Sequence, residues 1–238
     1  PSALCFWLIR WSVSFPLPMS MKPRNLLYAQ SGGVTAVINA SAAAVIRAAR
    51  AAPQISAIYA ARNGILGVLE EALFDTASLS DDTLTTIAHT PAGVFGSCRM
   101  DLDDPAANPA QFERLLAVLA AHDIGYFLYN GGNGSMDVVA KISRVAREQG
   151  YPLVCVGVPK TIDNDLEGTD CSPGFGSTAK YLALSMLEAG LDLRSMASRV
   201  GRAFVMETMG RNVGWLAAAT ALAVEAGGLD PADCAPHI

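Results

Sequence analysis

An α/β fold, a parallel Rossmann-like sheet with helices packed on both faces as a three-layer sandwich, is the architecture this chain predicts. Three observations carry that expectation. Short apolar runs alternate with longer helix-forming runs along most of the chain. The run Leu153-Val154-Cys155-Val156-Gly157-Val158 is almost continuously apolar, as a strand buried on both faces requires. Two of the apolar runs end in glycine-rich turns that lead straight into helical segments.

The elements are read in order from Lys22. Residues 25–30 form a short apolar strand that ends at Ser31-Gly32-Gly33. Residues 35–51, rich in alanine and free of Gly and Pro, predict a helix. A strand follows at 55–60, then helical stretches at 66–72, at 80–88 with Asp81 and Asp82 in the first turn, and at 111–121. The strand at 124–129 enters Asn130-Gly131-Gly132-Asn133-Gly134-Ser135 and a helix running to about Glu148. After the strand at 153–158 come a helix over 177–189, a strand at 203–207 and a helix at 213–226. No internal repeat or low-complexity tail interrupts this order.

Composition narrows the functions open to such a fold. A chain of 238 residues that is 51% hydrophobic and 16% charged can bury a sizeable core and is globular. The net charge of −5, without a basic block, argues against nucleic acid as a partner. Five cysteines, odd in number and never in a CxxC, read as reduced thiols of a cytoplasmic protein, and the three histidines show no metal-ligand spacing. Residues 1–18 differ from the rest, with two Trp, two Phe, three Pro and no acid. Their apolar run from Ala3 stops at Arg10, far short of the ~20 residues a membrane span needs. Residues 1–21 are therefore read as a non-native or upstream extension that carries no chemistry.

In sheets of this class ligands sit at the carboxyl ends of the strands. Four exits suit phosphate: Ser31-Gly32-Gly33, Gly131 to Ser135, Lys160 to Asp165, and Thr208 to Arg211. Two are glycine-rich turns before helix N-termini, where unpaired N–H groups and the helix dipole favour anions. The others bring Lys, Asp and Arg to the same edge. Pro159-Lys160-Thr161-Ile162-Asp163-Asn164-Asp165 is the richest, since phosphoryl transfer needs a cation for phosphate oxygens and a carboxylate to take a hydroxyl proton. A polar loop with a helix cap accounts for any one of these segments without a ligand. The absence of GxxxxGK[ST] excludes a P-loop enzyme, and no GxGxxG opens the first helix as a dinucleotide dehydrogenase would require.

Taken together, the segments resemble the amino-terminal part of a 6-phosphofructokinase. Five pieces match in order over 26–238: Ser31-Gly32-Gly33, Gly96-Ser97-Cys98-Arg99, Gly131 to Ser135, Pro159 to Asp165, and Met209-Gly210-Arg211. The resemblance implies magnesium-dependent phosphoryl transfer to the 1-hydroxyl of fructose 6-phosphate. It implies Asp163 as the base, Thr161 and Ile162 beside the sugar phosphate, and Met209, Gly210 and Arg211 at a second substrate-contacting exit. Arg202 matches an arginine that reaches substrate in a neighbouring subunit. Gly33, Arg99, Gly132, Gly134 and Ser135 match the donor-binding parts, with Ser135 at the cap of a helix aimed at donor phosphates. Asn133 falls where many members carry an aspartate at the metal.

The resemblance also bears on the donor. Lys160 stands where pyrophosphate-using members carry lysine and ATP users usually carry glycine. Its charge suits the leaving phosphate of pyrophosphate. Gly134, by contrast, is the residue of ATP users, so ATP stays open as the alternative, as does a regulatory relative that only binds sugar phosphate. Members of the family run well past the length of this chain, so the expectation is a C-terminally truncated form. Its parts would be a donor-binding domain at 22–175 and an incomplete sugar-phosphate domain at 176–238, from an enzyme that is a homodimer or homotetramer when whole.

Overall fold

In a computed structural model, which describes residues 22–196 and 203–227, five strands form one sheet in the order β3-β2-β1-β4-β5. The elements are β1 (Arg24–Gln30), α1 (Ala36–Arg50), β2 (Ile55–Ala61), α2 (Ile65–Leu69), β3 (Leu73–Asp75), α3 (Asp81–His89), α4 (Pro109–Ala121), β4 (Ile124–Gly131), α5 (Asn133–Glu148), β5 (Val154–Pro159), α6 (Phe175–Met196), α7 (Trp215–Ala219) and α8 (Leu222–Gly227). A 3-10 turn, Thr76–Ser78, follows β3.

Side-chain alternation along β1 builds the layers. Leu26 and Tyr28 enter one core cluster, while Leu27 and Ala29 enter the other. The first cluster packs Ile46 of α1 and Leu84 of α3 against the sheet. The second packs Phe112 and Leu119 of α4 with Val138 and Ile142 of α5. Strand side chains that point to opposite faces at every second residue thus serve two helical layers at once. Local chemistry starts the helices. Ser80 Oγ accepts from the Thr83 amide at 3.1 Å, with Asp81 and Asp82 in the first turn of α3. Pro109 opens α4, where its missing N–H is not needed.

Pairing is parallel for β1–β2, β1–β4 and β4–β5. Because β2 lies on one side of β1 and β4 on the other, the winding reverses at β1, which opens a crevice above the carboxyl ends of β1 and β4. The opposite ends are tied by Arg24, whose Nε meets Asp123 at 2.9 Å and whose Nη2 donates to the Tyr151 hydroxyl at 2.8 Å.

Four expectations need correction. The sheet is not wholly parallel, because β3 pairs antiparallel with β2 at the edge. The expected helix over 66–72 stops at Leu69, and Glu71 takes a left-handed φ of 61° that turns the chain back into β3. Residues 203–207 form no strand: among the described residues no neighbour supplies a ladder for them, and Phe204 and Val205 are exposed. The helix expected over 213–226 is two short ones. Between them the Thr220 hydroxyl donates to the Ala217 carbonyl at 2.6 Å, a local bond that competes with helix continuation.

Helices α7 and α8 pack on α6. Among the described residues no helix is long and apolar enough to cross a membrane.

Candidate active site

The crevice is lined by three strand exits, and Lys160 joins them. Its amide donates to the Gly131 carbonyl at 2.9 Å, continuing the β4–β5 ladder by one residue. Its ammonium then crosses over β4 to the exit of β1, donating to the carbonyls of Ser31 at 3.0 Å and Gly33 at 2.7 Å. The side chain is buried, 4% exposed. Burial lowers its pKa, the neighbouring Arg99 charge lowers it further, and Asp163 opposes both. The site therefore holds a desolvated cation at the point where two glycine-rich loops converge.

The β1 exit is fixed by its neighbours. The Ser31 amide donates to Asn130 O at 2.8 Å, and the Gly32 amide to Cys98 O at 3.2 Å. The Ser97 hydroxyl returns a bond to Gly32 O at 2.6 Å. Gly32 has a φ of 78°, and a Cβ there would stand 3.3 Å from Lys160 Nζ. The left-handed φ is what favours glycine here, and a side chain would also crowd the lysine. Arg99 reaches this exit from the other side, its Nη2 lying 3.7 Å from where a Gly33 Cβ would be.

The β4 exit runs into α5 through Gly131 and Gly132. A Cβ on Gly131 would fall 1.9 Å from Ser135 Oγ, so the turn can be this tight only with glycine. Ser135 does not act as the expected cap. Gly132 is the N-cap, no side chain caps the helix, and Ser135 is buried at its third position. Hence the first N–H groups of α5 carry no side-chain cap, which favours an anion there. Asn133 donates through Nδ2 to the Asp165 carbonyl at 3.0 Å and so ties the β4 exit to the β5 loop.

The β5 loop is held closed by Thr161 and Asn164. The Thr161 amide donates to Pro173 O at 3.1 Å, and its hydroxyl accepts from the Asp163 amide at 3.1 Å. Asn164, at a φ of 56°, donates to Asp170 O at 3.1 Å and accepts from the Ser172 amide at 2.7 Å. Ile162 packs toward Gly174. On this braced turn, Asp163 Oδ1 is buried without any hydrogen-bond partner. A carboxylate oxygen left in that condition is a ready acceptor for an incoming hydroxyl.

The predicted site residues thus fall into two groups. Gly33, Arg99, Gly132, Asn133, Gly134, Ser135, Lys160, Thr161, Ile162 and Asp163 belong to these three exits and the loop joined to them. Met209, Gly210 and Arg211 are exposed in a segment without regular structure, and among the described residues no hydrogen bond or ion pair ties them to the other exits. Arg202 lies outside the described residues. Sequence reasoning missed a buried polar chain beneath the loops. Asn130 Nδ2 donates to the Tyr28 hydroxyl at 2.9 Å, which donates to Gln30 Oε1 at 3.2 Å, and Gln30 Nε2 donates to Gly96 O at 2.8 Å. Its signal was present: Gln30 and Asn130 are polar residues closing otherwise apolar strands.

The phosphofructokinase family model matches residues 25–229. The chain belongs to the phosphofructokinase family. It is 55% identical over 204 residues to the pyrophosphate–fructose 6-phosphate 1-phosphotransferase of Methylococcus capsulatus, covering 85% of this chain and 49% of that protein. It is 58% identical over 199 residues to the protein of the same name from Xanthomonas campestris, covering 84% and 47%. Among solved structures, the pyrophosphate-dependent phosphofructokinase of Marinobacter aquaeolei superposes with a TM-score of 0.78 at 55% identity, over 87% of this chain and 51% of that one. The chain spans about half the length of the curated phosphofructokinase relatives it matches.

Proposed function

We propose that the three strand exits serve transfer of a phosphoryl group from pyrophosphate to the 1-hydroxyl of fructose 6-phosphate. The observation that carries this reading is the buried Lys160 ammonium, held between the Ser31 and Gly33 carbonyls three residues before the unpartnered carboxylate of Asp163. In this reading the donor lies on the uncapped N-terminus of α5 and along the β1 exit, with Arg99 against its oxygens. Asp163 takes the proton from the sugar hydroxyl as that oxygen bonds to phosphorus. The bond from phosphorus to the bridging oxygen breaks, and Lys160 offsets the charge that develops on the departing phosphate.

Among the described residues no group of three or more His, Cys, Asp or Glu could hold a metal alone. That fits a magnesium ion held chiefly by donor oxygens, for which Asn133 Oδ1 is the protein ligand this loop offers. Bound there, magnesium would neutralise phosphate charge. Thr161 and Ile162 would border the sugar phosphate. Arg202, Met209, Gly210 and Arg211 are proposed to contribute from the partial sugar-phosphate domain at 176–238. The names of three relatives at 53–58% identity, each a pyrophosphate–fructose 6-phosphate 1-phosphotransferase, support pyrophosphate over ATP as donor.

The test is a donor comparison in the native protein carrying this sequence, following fructose 6-phosphate turnover by phosphorus NMR with magnesium pyrophosphate or magnesium ATP. Wild type is expected to prefer pyrophosphate, and Lys160→Gly to lose that preference. Undiminished pyrophosphate use by Lys160→Gly would refute the donor assignment.

A further inference from the structure

The family resemblance assigns no role to Asp101, yet its carboxylate lies at the mouth of the β4 exit. A Cβ built on Gly134 would stand 3.1 Å from Asp101 Oδ1. Gly134 leaves that space open, and the acid, arriving from a different segment, borders it. Asp101 is exposed and, among the described residues, makes neither a hydrogen bond nor an ion pair. Its charge is therefore uncompensated by the protein, beside the second residue of α5.

Two residues earlier on the same segment, Arg99 reaches the β1 exit, with Nη2 3.7 Å from the Gly33 Cβ position. One short stretch of chain thus sets a cation over one end of the crevice and an anion over the other. The two poles are held in place from below. The Cys98 carbonyl accepts from the Gly32 amide at 3.2 Å, and Leu102 is buried with its carbonyl accepting from Lys141 Nζ at 2.9 Å. A polyphosphate laid from Gly33 toward α5 meets attraction from Arg99 and Lys160 first, and repulsion from Asp101 last. The repulsion also cancels part of what the helix N-terminus would offer to a phosphate at that end.

We propose that Asp101 is a specificity-determining residue that limits donor length, admitting a diphosphate and rejecting a third phosphate. This rests on the reading of the crevice as a phosphoryl-donor site. A negative charge directly beside a bound anion is an effective means of exclusion, because the rejected ligand must bring a like charge against it out of water.

The experiment is calorimetric titration of the 238-residue chain with magnesium pyrophosphate and, separately, magnesium tripolyphosphate, which adds a phosphate without adding a nucleoside. Wild type is compared with Asp101→Asn, which keeps the size and removes the charge, with Asp101→Ala, and with Asp101→Glu. Folding of each is checked by thermal unfolding. The expected result is that the ratio of tripolyphosphate to pyrophosphate affinity rises about tenfold in Asp101→Asn, equivalent to about 1.4 kcal/mol, and at least as much in Asp101→Ala. Asp101→Glu should keep the ratio low. A ratio unchanged in Asp101→Asn overturns the proposal, and so does a ratio that changes only because pyrophosphate binding collapses, which would make Asp101 a holder of the donor or its cation. Failure of the wild-type chain to bind either polyphosphate would instead overturn the donor-site reading, and this inference with it.

Discussion

Lys160 Nζ donates to the Gly33 carbonyl at 2.7 Å across a sequence separation of 127 residues. The contact makes one side chain both the latch between two strand exits and the charge at their junction. Lys160→Met keeps most of the stem and removes the ammonium. Titration with magnesium pyrophosphate should then show affinity reduced about tenfold or more, the scale of one lost charge-assisted interaction. Wild-type affinity in this variant would show that the lysine is a structural latch only.

The same lysine gives stability a pH signature. Burial, with Arg99 adding to it and Asp163 opposing, puts its folded pKa below the ordinary value of 10.5. Below that lowered value the ammonium is charged in folded and unfolded chains alike, and the fold bears the full cost of burying it. Between the lowered value and 10.5 the unfolded chain binds more protons than the folded one, so this contribution to stability rises with pH. Urea unfolding of wild type and Lys160→Met across the alkaline range should show the difference between them moving in favour of wild type as pH increases. A difference independent of pH would contradict the burial account.

Much of this arrangement was legible in the sequence, for identifiable reasons. Strands β1, β4 and β5 each carry an apolar run, β4 ending at Gly131, β5 at Pro159 and β1 at Gln30 just before Ser31-Gly32-Gly33, and their exits carry the residues the chemistry needs. β3 was not legible because three residues, Leu73, Phe74 and Asp75, are too few to show a period. The 203–207 run reads as a strand by composition, but a strand is defined by a partner, and composition says nothing of partners. The role of Lys160 as a latch could not be read either, since its acceptors are backbone carbonyls, which every residue possesses. Asp101 escaped notice because it belongs to the exits only through the space left by Gly134.

Asp163→Asn separates catalysis from stability. Because Oδ1 has no partner in the fold, the exchange to an amide breaks no bond that the oxygen makes. Unfolding free energy should move by less than about 1 kcal/mol, while the rate of sugar phosphorylation by the native protein falls ~10²–10⁴-fold. Stopped-assay turnover beside a denaturation curve tests both halves. A rate within about tenfold of wild type would deny Asp163 the role of base.

Gly131→Ala should destabilise the fold by about 1–3 kcal/mol, since the new methyl would meet Ser135 Oγ at 1.9 Å and Ser135 Cβ at 2.6 Å. The clash has a named partner, so it can be relieved. Adding Ser135→Ala should recover part of the loss and Ser135→Gly more, seen as non-additivity in a thermal-unfolding double-mutant cycle. Simple additivity would place the strain elsewhere.

The bond from Lys160 to the β1 exit also has a kinetic consequence. Closing it joins the first strand of the sheet to the residue just past the last, and contacts so distant in sequence form late because their loop entropy must be met first. During synthesis the Gly32–Gly33 turn and the N-terminus of α5 exist before residue 160 does, so the donor crevice is finished only when β5 docks against β4. Completion of the sheet and acquisition of the charge are one event, and polyphosphate binding by this chain would report that its final strand has found its place.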